Sequence, residues 1–218
     1  MSTIMKNKKI GIIGSAFNPP HLGHKDVIEQ VYRDYDEILL VPSYKHPFGK
    51  IMAPFNDRLF MASMMAQSYH SERFMHYEHI TPILTSNIER DIYLKNSAKK
   101  NNKDKAKNRD RPVYTYDVLA ELEQRYKTSG IDADLTFVIG PDNASYETWN
   151  KFYKSEEILQ RWNIRSVSER VPVHSSLIRE LIADYPRPDF LFESRFKNYL
   201  DGLVARYIFN QKLYGVHL

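Results

Sequence analysis

The stretch from Lys8 to Arg33 constrains this chain most. Lys8-Lys9-Ile10-Gly11-Ile12-Ile13 reads as a short buried strand and Gly14 to His24 as a glycine-led turn. Lys25 to Arg33 reads as an amphipathic helix, with Val27, Ile28 and Val31 on one side. A strand running through a tight turn into a helix is the start of a strand–helix–strand unit, which builds parallel sheet. It is also a phosphate cradle, because backbone N–H groups and the positive end of the helix dipole converge on one point. His21 and His24 stand three residues apart, so on a first helical turn both rings project from one face. Gly23 leaves no side chain between them, and a nucleotide could lie flat against that backbone. Half of a metal site and two incidental surface histidines are the other readings. Zinc needs three or four ligands, the chain has no cysteine, and no carboxylate sits at ligand spacing nearby.

Further along, strands and helices alternate. The pattern predicts strands over Lys9–Ile13, Glu37–Val41, Phe74–Ile80, Leu135–Ile139 and Asn163–Val167. It predicts helices over Leu22–Arg33, Asn56–Tyr69, Thr115–Tyr126, Ser155–Trp162, Ser175–Asp184 and Phe190–Leu213, with Asn56 and Ser155 as N-caps. In the last helix Phe192, Phe196, Tyr199, Leu203 and Tyr207 recur at spacings of three and four, a core-packing stripe. The expected fold is α/β: a Rossmann-like, doubly wound, mostly parallel sheet with helices on both faces. One domain spans residues 1–218, with a helical C-terminal part over about 174–214. Such sheets bind ligands at the carboxyl ends of their strands, where the strand order reverses. The histidine motif, Pro42 to Lys50, and Gly140 to Asn143 would all emerge at that edge.

Charge raises the question of nucleic acid. The net charge is +4, but residues 95–111 hold eight basic side chains against two acidic ones, and removing them leaves 23 basic and 25 acidic residues, a net −2. The basicity belongs to one tract, which reads as a solvated loop. It has no aromatic residue on which a base could stack, so nucleic acid is not an expected partner. With 42% hydrophobic residues the chain can bury a real core, yet no run approaches the ~18 apolar residues of a membrane span. The segment Met1 to Lys9 is too polar for a signal peptide. With no cysteine, disulfides and thiolate catalysis are excluded. The expectation is a soluble cytoplasmic protein without a membrane partner; a homo-oligomer is left open.

Four more segments carry chemistry. Gly140-Pro141-Asp142-Asn143 follows an apolar strand, where a carboxylate could accept from ribose hydroxyls or help hold a metal; it is equally a turn. Pro112-Val113-Tyr114-Thr115-Tyr116-Asp117 reads as a helix start, with Thr115 as cap and Asp117 favouring the dipole. In Val173-His174-Ser175-Ser176-Leu177-Ile178-Arg179, two hydroxyls at a helix start and an arginine one turn on can share an anion, or simply cap an amphipathic helix. Val41 to Lys50 is a Pro/Gly loop with two lysines, Lys45 and Lys50, that reach either phosphate or solvent.

Residues 11–24 resemble the signature of the nucleotidyltransferase superfamily that carries a His-x-Gly-His motif. Within it, the chain looks like the nicotinate or nicotinamide mononucleotide adenylyltransferases, with gaps, from Ile10 to about Tyr214. The 112–119 segment looks like that family's Pro-x-Tyr-Thr-x-Asp-x-Leu, and 173–179 resembles its second signature, Ile-Ser-Ser-Thr-x-Ile-Arg. His174 and Ser176 replace the usual serine and threonine, the link from Trp162 to Val173 is short, and the tract at 95–111 is an insertion. The resemblance implies an adenylyl transfer from ATP to a pyridine mononucleotide, giving the dinucleotide of NAD biosynthesis and pyrophosphate. It implies His21, His24 and Arg179 as catalytic; Gly14, Ser15, Phe17, Gly23, Lys50 (or Lys45), Ser175 and Ser176 at the ATP phosphates; and Asn18, Tyr114, Thr115, Asp142 and Trp149 at the mononucleotide, with Trp149 or its neighbours lining the pyridine pocket. Arg58 is a weaker carry-over. Mg²⁺ would be the cofactor, held mainly by ATP phosphates and not by a protein metal site. Phosphopantetheine adenylyltransferases and cytidylyltransferases share residues 14–24, and a class I aminoacyl-tRNA synthetase would need a Lys-Met-Ser-Lys-Ser segment that is absent. A weakened nucleotide- or RNA-binding protein is the reading from another class.

Overall fold

A computed structural model describes residues 6–45, 49–74, 80–98, 111–140, 145–185 and 191–216. Five strands form one parallel sheet in the order β3-β2-β1-β4-β5: β1 (Lys6–Ser15), β2 (Glu37–Pro42), β3 (Ile83–Thr85), β4 (Ile131–Ile139) and β5 (Asn163–Ser166). The chain winds from β1 outward to β3, then returns to the other side of β1 for β4 and β5. The order therefore reverses between β1 and β4, and the turn after Ser15 leaves the sheet at that point.

The central strands are apolar at nearly every position because both faces are covered. Ile13, Ile38, Leu40 and Val138 enter one core, with α1 (Leu22–Val31), α2 (Phe55–Phe74), α7 (Ser175–Ala183), α8 (Phe192–Phe196) and α9 (Gly202–Asn210). Ile10, Ile12, Leu39, Val41, Leu135, Phe137 and Ile139 enter the other, with α3 (Ile88–Ala98), α4 (Thr115–Thr128), α5 (Tyr146–Trp149) and α6 (Ser155–Arg161). The alternation follows the period of two that a pleated strand imposes. Gly11 is needed where it stands, since a Cβ there would meet the Tyr35 ring at 2.8 Å.

Several expected elements are displaced. Helix α2 runs on to Phe74, and β3 lies at Ile83–Thr85, not over Phe74–Ile80; residues 75–79 are outside the described set. Helix α3 was not expected at all. Asn56 lies inside the first turn of α2 and Ser155 is the first residue of α6, whose N-cap is Lys154 in the left-handed region (φ 57°). Tyr114, not Thr115, caps α4, with Asp117 accepting its N–H at 3.1 Å. The expected helix over Phe190–Leu213 is two helices. The first ends at Phe196, and Asp201 starts the second by accepting the Leu203 N–H at 3.0 Å and so capping α9.

Candidate active site

The turn after β1 is wired into its surroundings. Phe17 sits in the left-handed region (φ 46°) with its ring fully buried, which leaves only its backbone to meet a ligand. The turn's carbonyls are held by donors from two helices. Arg58 Nη1 donates to Ala16 O (2.7 Å), Arg179 Nη1 to Asn18 O (2.7 Å) and Ser175 Oγ to Pro19 O (2.9 Å). The Asn18 side chain, 1% exposed, accepts the Ala53 N–H at 2.9 Å and so ties the turn to the loop bearing Lys50. Asn18, Ser175 and Arg179 are therefore partly engaged in shaping the turn, a role that motif spacing does not show.

His21 is the N-cap of α1, and its ring centroid lies 3.8 Å from that of His24. The His21 N–H donates to His24 Nδ1 at 3.2 Å, and His24 Nε2 lies 2.9 Å from Ser15 Oγ. Burial pushes the His24 imidazole down to about 3, and lowers His21 as well, with His24 and His174 adding to the effect. A neutral His24 that accepts at Nδ1 carries its proton on Nε2, so a backbone amide fixes which nitrogen donates.

The cradle of free amides is smaller than expected. Leu22 N–H donates to Tyr199 O (2.9 Å) and His24 N–H to His21 O (2.9 Å), which leaves Gly23 N–H without such a partner among the described residues. Gly23 lines a cavity beside the histidine pair. A Cβ there would meet His21 Nδ1 at 2.9 Å and Val173 O at 3.0 Å, so its missing side chain makes room for the histidine ring.

Two cavities meet at Gly14 and Ser15. The smaller, about 380 Å³, is lined by His21, His24, Lys50, Gly140, Ser175 and Ser176, which brings most of the phosphate-side candidates together, although Phe17 and Arg179 are not in its wall. Lys50 reaches this wall, whereas Lys45 lies over the Tyr93 ring at 4.9 Å. The larger, about 580 Å³, is lined by Tyr114, Thr115, Thr148, Lys151, Phe152 and Tyr153 among others. Trp149 is not in that wall. It is buried in the core against Phe152 (4.8 Å, stacked), and its neighbours face the cavity instead. Asp142 lies outside the described residues.

Two buried charged residues join the site that sequence reasoning underrated or missed. Arg58, 1% exposed, donates to Ala53 O (2.8 Å) as well as Ala16 O, and nothing in its sequence neighbourhood announces that. Glu89 lines the larger cavity, is 8% exposed, and accepts the Tyr44 N–H at 2.8 Å. It had a signal: Ser86-Asn87-Ile88-Glu89 has the spacing of a capping box. Ser86 Oγ does accept the Ile88 N–H at 3.3 Å, but Glu89 turns to Tyr44 instead.

Comparison with known proteins agrees with this arrangement. A family model described as cytidylyltransferase-like matches residues 12–181. A probable nicotinate-nucleotide adenylyltransferase of Myxococcus xanthus is 28% identical over 199 residues, covering 86% of this chain and 88% of that relative. A solved structure from Vibrio parahaemolyticus, provisionally assigned the same activity, is 30% identical with a TM-score of 0.68, covering 97% of this chain and 98% of that one. The nicotinic acid mononucleotide adenylyltransferase of Plasmodium falciparum, 18% identical with a TM-score of 0.58 and 96% of this chain covered, shares the fold. A doubly wound sheet, a histidine pair at its switch point and a family model spanning most of the length converge: the chain belongs to the cytidylyltransferase-like family, in its nicotinate/nicotinamide mononucleotide adenylyltransferase branch.

Proposed function

We propose that the protein transfers the adenylyl group of ATP to nicotinate or nicotinamide mononucleotide, releasing pyrophosphate. The observation that carries this reading is the junction of two cavities at Gly14 and Ser15, with His24 Nε2 beside Ser15 Oγ. An aromatic-walled cavity suits the flat ring of a pyridine mononucleotide. The smaller cavity, with its two histidines, Lys50 and the first turn of α7, suits a triphosphate.

The mononucleotide phosphate is an anion near pH 7, so its oxygen attacks the α-phosphorus without a general base. The protein's task is to position two polyanions and offset their repulsion. His24 would donate from Nε2, and His21 would face the same phosphates. Lys50, Ser175, Ser176 and Arg179 would hold the leaving pyrophosphate. Arg179 has further N–H donors beyond the one on Asn18 O, so it can hold the turn and reach an anion together.

Among the described residues no three His, Asp or Glu side chains converge as a metal site. Mg²⁺ would arrive on the triphosphate, since it keeps phosphate and water ligands readily. When bound it would neutralise phosphate charge.

The test is pyrophosphate release from ATP with Mg²⁺, offering nicotinate mononucleotide, nicotinamide mononucleotide and phosphopantetheine separately. Turnover with a pyridine mononucleotide is expected. Turnover with phosphopantetheine alone would overturn the reading.

A further inference from the structure

The proposed transfer gives no task to Glu89. Its carboxyl lies in the wall of the larger cavity, whose lining also includes the apolar Val41, Val113, Val118 and Phe137, and is held by the Tyr44 N–H at 2.8 Å. A single N–H bond of this kind would be met equally well by a glutamine. What a carboxyl adds is a charge that can be switched, in a place where charge is expensive.

The surroundings set that switch. Arg58 on α2 favours the ionised form, and Asp117 on α4 opposes it. Lys45 lies over Tyr93 of Glu89's own helix, and Arg90, next along that helix, lies 3.4 Å from Asn56. Tyr114, Lys151 and Tyr153 line the same cavity. Burial outweighs both the amide and Arg58, and pushes the Glu89 carboxyl up to about 8. Near neutral pH it therefore carries its proton and presents an O–H donor; a little above, it is an anion.

The two pyridine mononucleotides differ in one substituent. A carboxylate is charged and only accepts hydrogen bonds, while a carboxamide is neutral and also donates. Resting on the pyridine reading of this cavity, we propose that Glu89 determines which substituent is taken: as a neutral acid it donates to a carboxylate, and as an anion it repels a carboxylate and accepts from a carboxamide. Glu89 would then be a specificity-determining residue.

The experiment measures kcat/KM for nicotinate and nicotinamide mononucleotide between about pH 6.5 and 9.5, in the unaltered protein and in Glu89→Gln. Taking the ratio of the two substrates cancels every titration they share, including ATP, the substrate phosphate and the histidines. In the unaltered protein the acid-to-amide ratio should fall about tenfold or more across that range, on the scale of a nearby like charge in a partly buried site. In Glu89→Gln the ratio should stay flat. A flat ratio in the unaltered protein overturns the inference, and so does a parallel fall in both proteins. Should Glu89→Gln not fold, Glu89→Asp replaces it: the fall in the ratio should then move along the pH axis, and a fall left in place overturns the inference. Turnover of neither mononucleotide at any pH removes the pyridine reading and this inference with it, whereas a flat ratio removes the inference alone.

Discussion

At the scale of single residues, this site depends on which atoms are already occupied. His24 Nδ1 is taken by the His21 N–H, so the ring's one proton is aimed from Nε2 at the junction of the cavities. His24→Ala should cut turnover by about two orders of magnitude or more, the usual loss for one preorganised donor. Steady-state kinetics on the folded variant checks this, and full activity would remove His24 from the chemistry. Gly23→Ala forces a Cβ to within 2.9 Å of His21 Nδ1 and 3.0 Å of the Val173 carbonyl. The His21 ring must move, so turnover should fall at least tenfold in steady-state kinetics on the folded variant, and an unchanged rate would show that the ring's placement does not matter. Arg58→Ala leaves the Ala16 and Ala53 carbonyls without their donor in a buried place. It should cost about 3 kcal/mol in denaturant unfolding, and a change within error would show that the clamp is idle. The histidine motif is plain in the sequence because its spacing alone puts both rings on one helix face. Arg58 and Glu89 are less legible, since their roles depend on loops brought near from elsewhere in the chain.

At the scale of elements, boundaries went astray where a local signal competed with packing. Asn56 is a good capping residue, yet α2 begins at Phe55, and it continues past Tyr69 to Phe74, where His70 Nε2 lies 3.1 Å from Thr81 O and Arg73 pairs with Glu29. The aromatic stripe from Phe192 to Tyr207 has helical spacing throughout. It could not reveal that the first helix ends at Phe196 and that Asp201, 7% exposed, starts the next while accepting from Ser68 Oγ (2.5 Å) and facing Lys25 Nζ (3.3 Å). Asp201→Ala removes a cap and a buried acceptor together. It should destabilise the protein by about 2 kcal/mol, read as a lower midpoint at unchanged m-value in urea. A loss below a few tenths would mean that the cap is replaceable.

At the scale of the whole molecule, the titrating groups pull stability in opposite directions. His24 has a folded-state value of about 3 against an ordinary 6.5. The unfolded chain therefore binds more protons between those values, and stability is lost as pH falls below about 6.5. Glu89 is raised from 4.5 to about 8, so the folded chain binds more protons there, and its contribution is lost as pH rises through that window. Thermal melts of the ligand-free protein should show both limbs, with Glu89→Gln flattening the alkaline one; an unchanged alkaline limb would contradict the burial of that charge.

From the sequence alone come the parallel sheet, most of its strands, the histidine pair and the anionic character of its ligands, because each rests on a period or spacing within a few residues. Which carbonyls the helix α7 donors would occupy, that Gly23 serves a neighbouring ring, and that Trp149 faces the core while Phe152 and Tyr153 face the cavity were decided only by the tertiary structure. Those contacts join residues up to 161 positions apart, and no local pattern encodes a partner that only the closed sheet brings near.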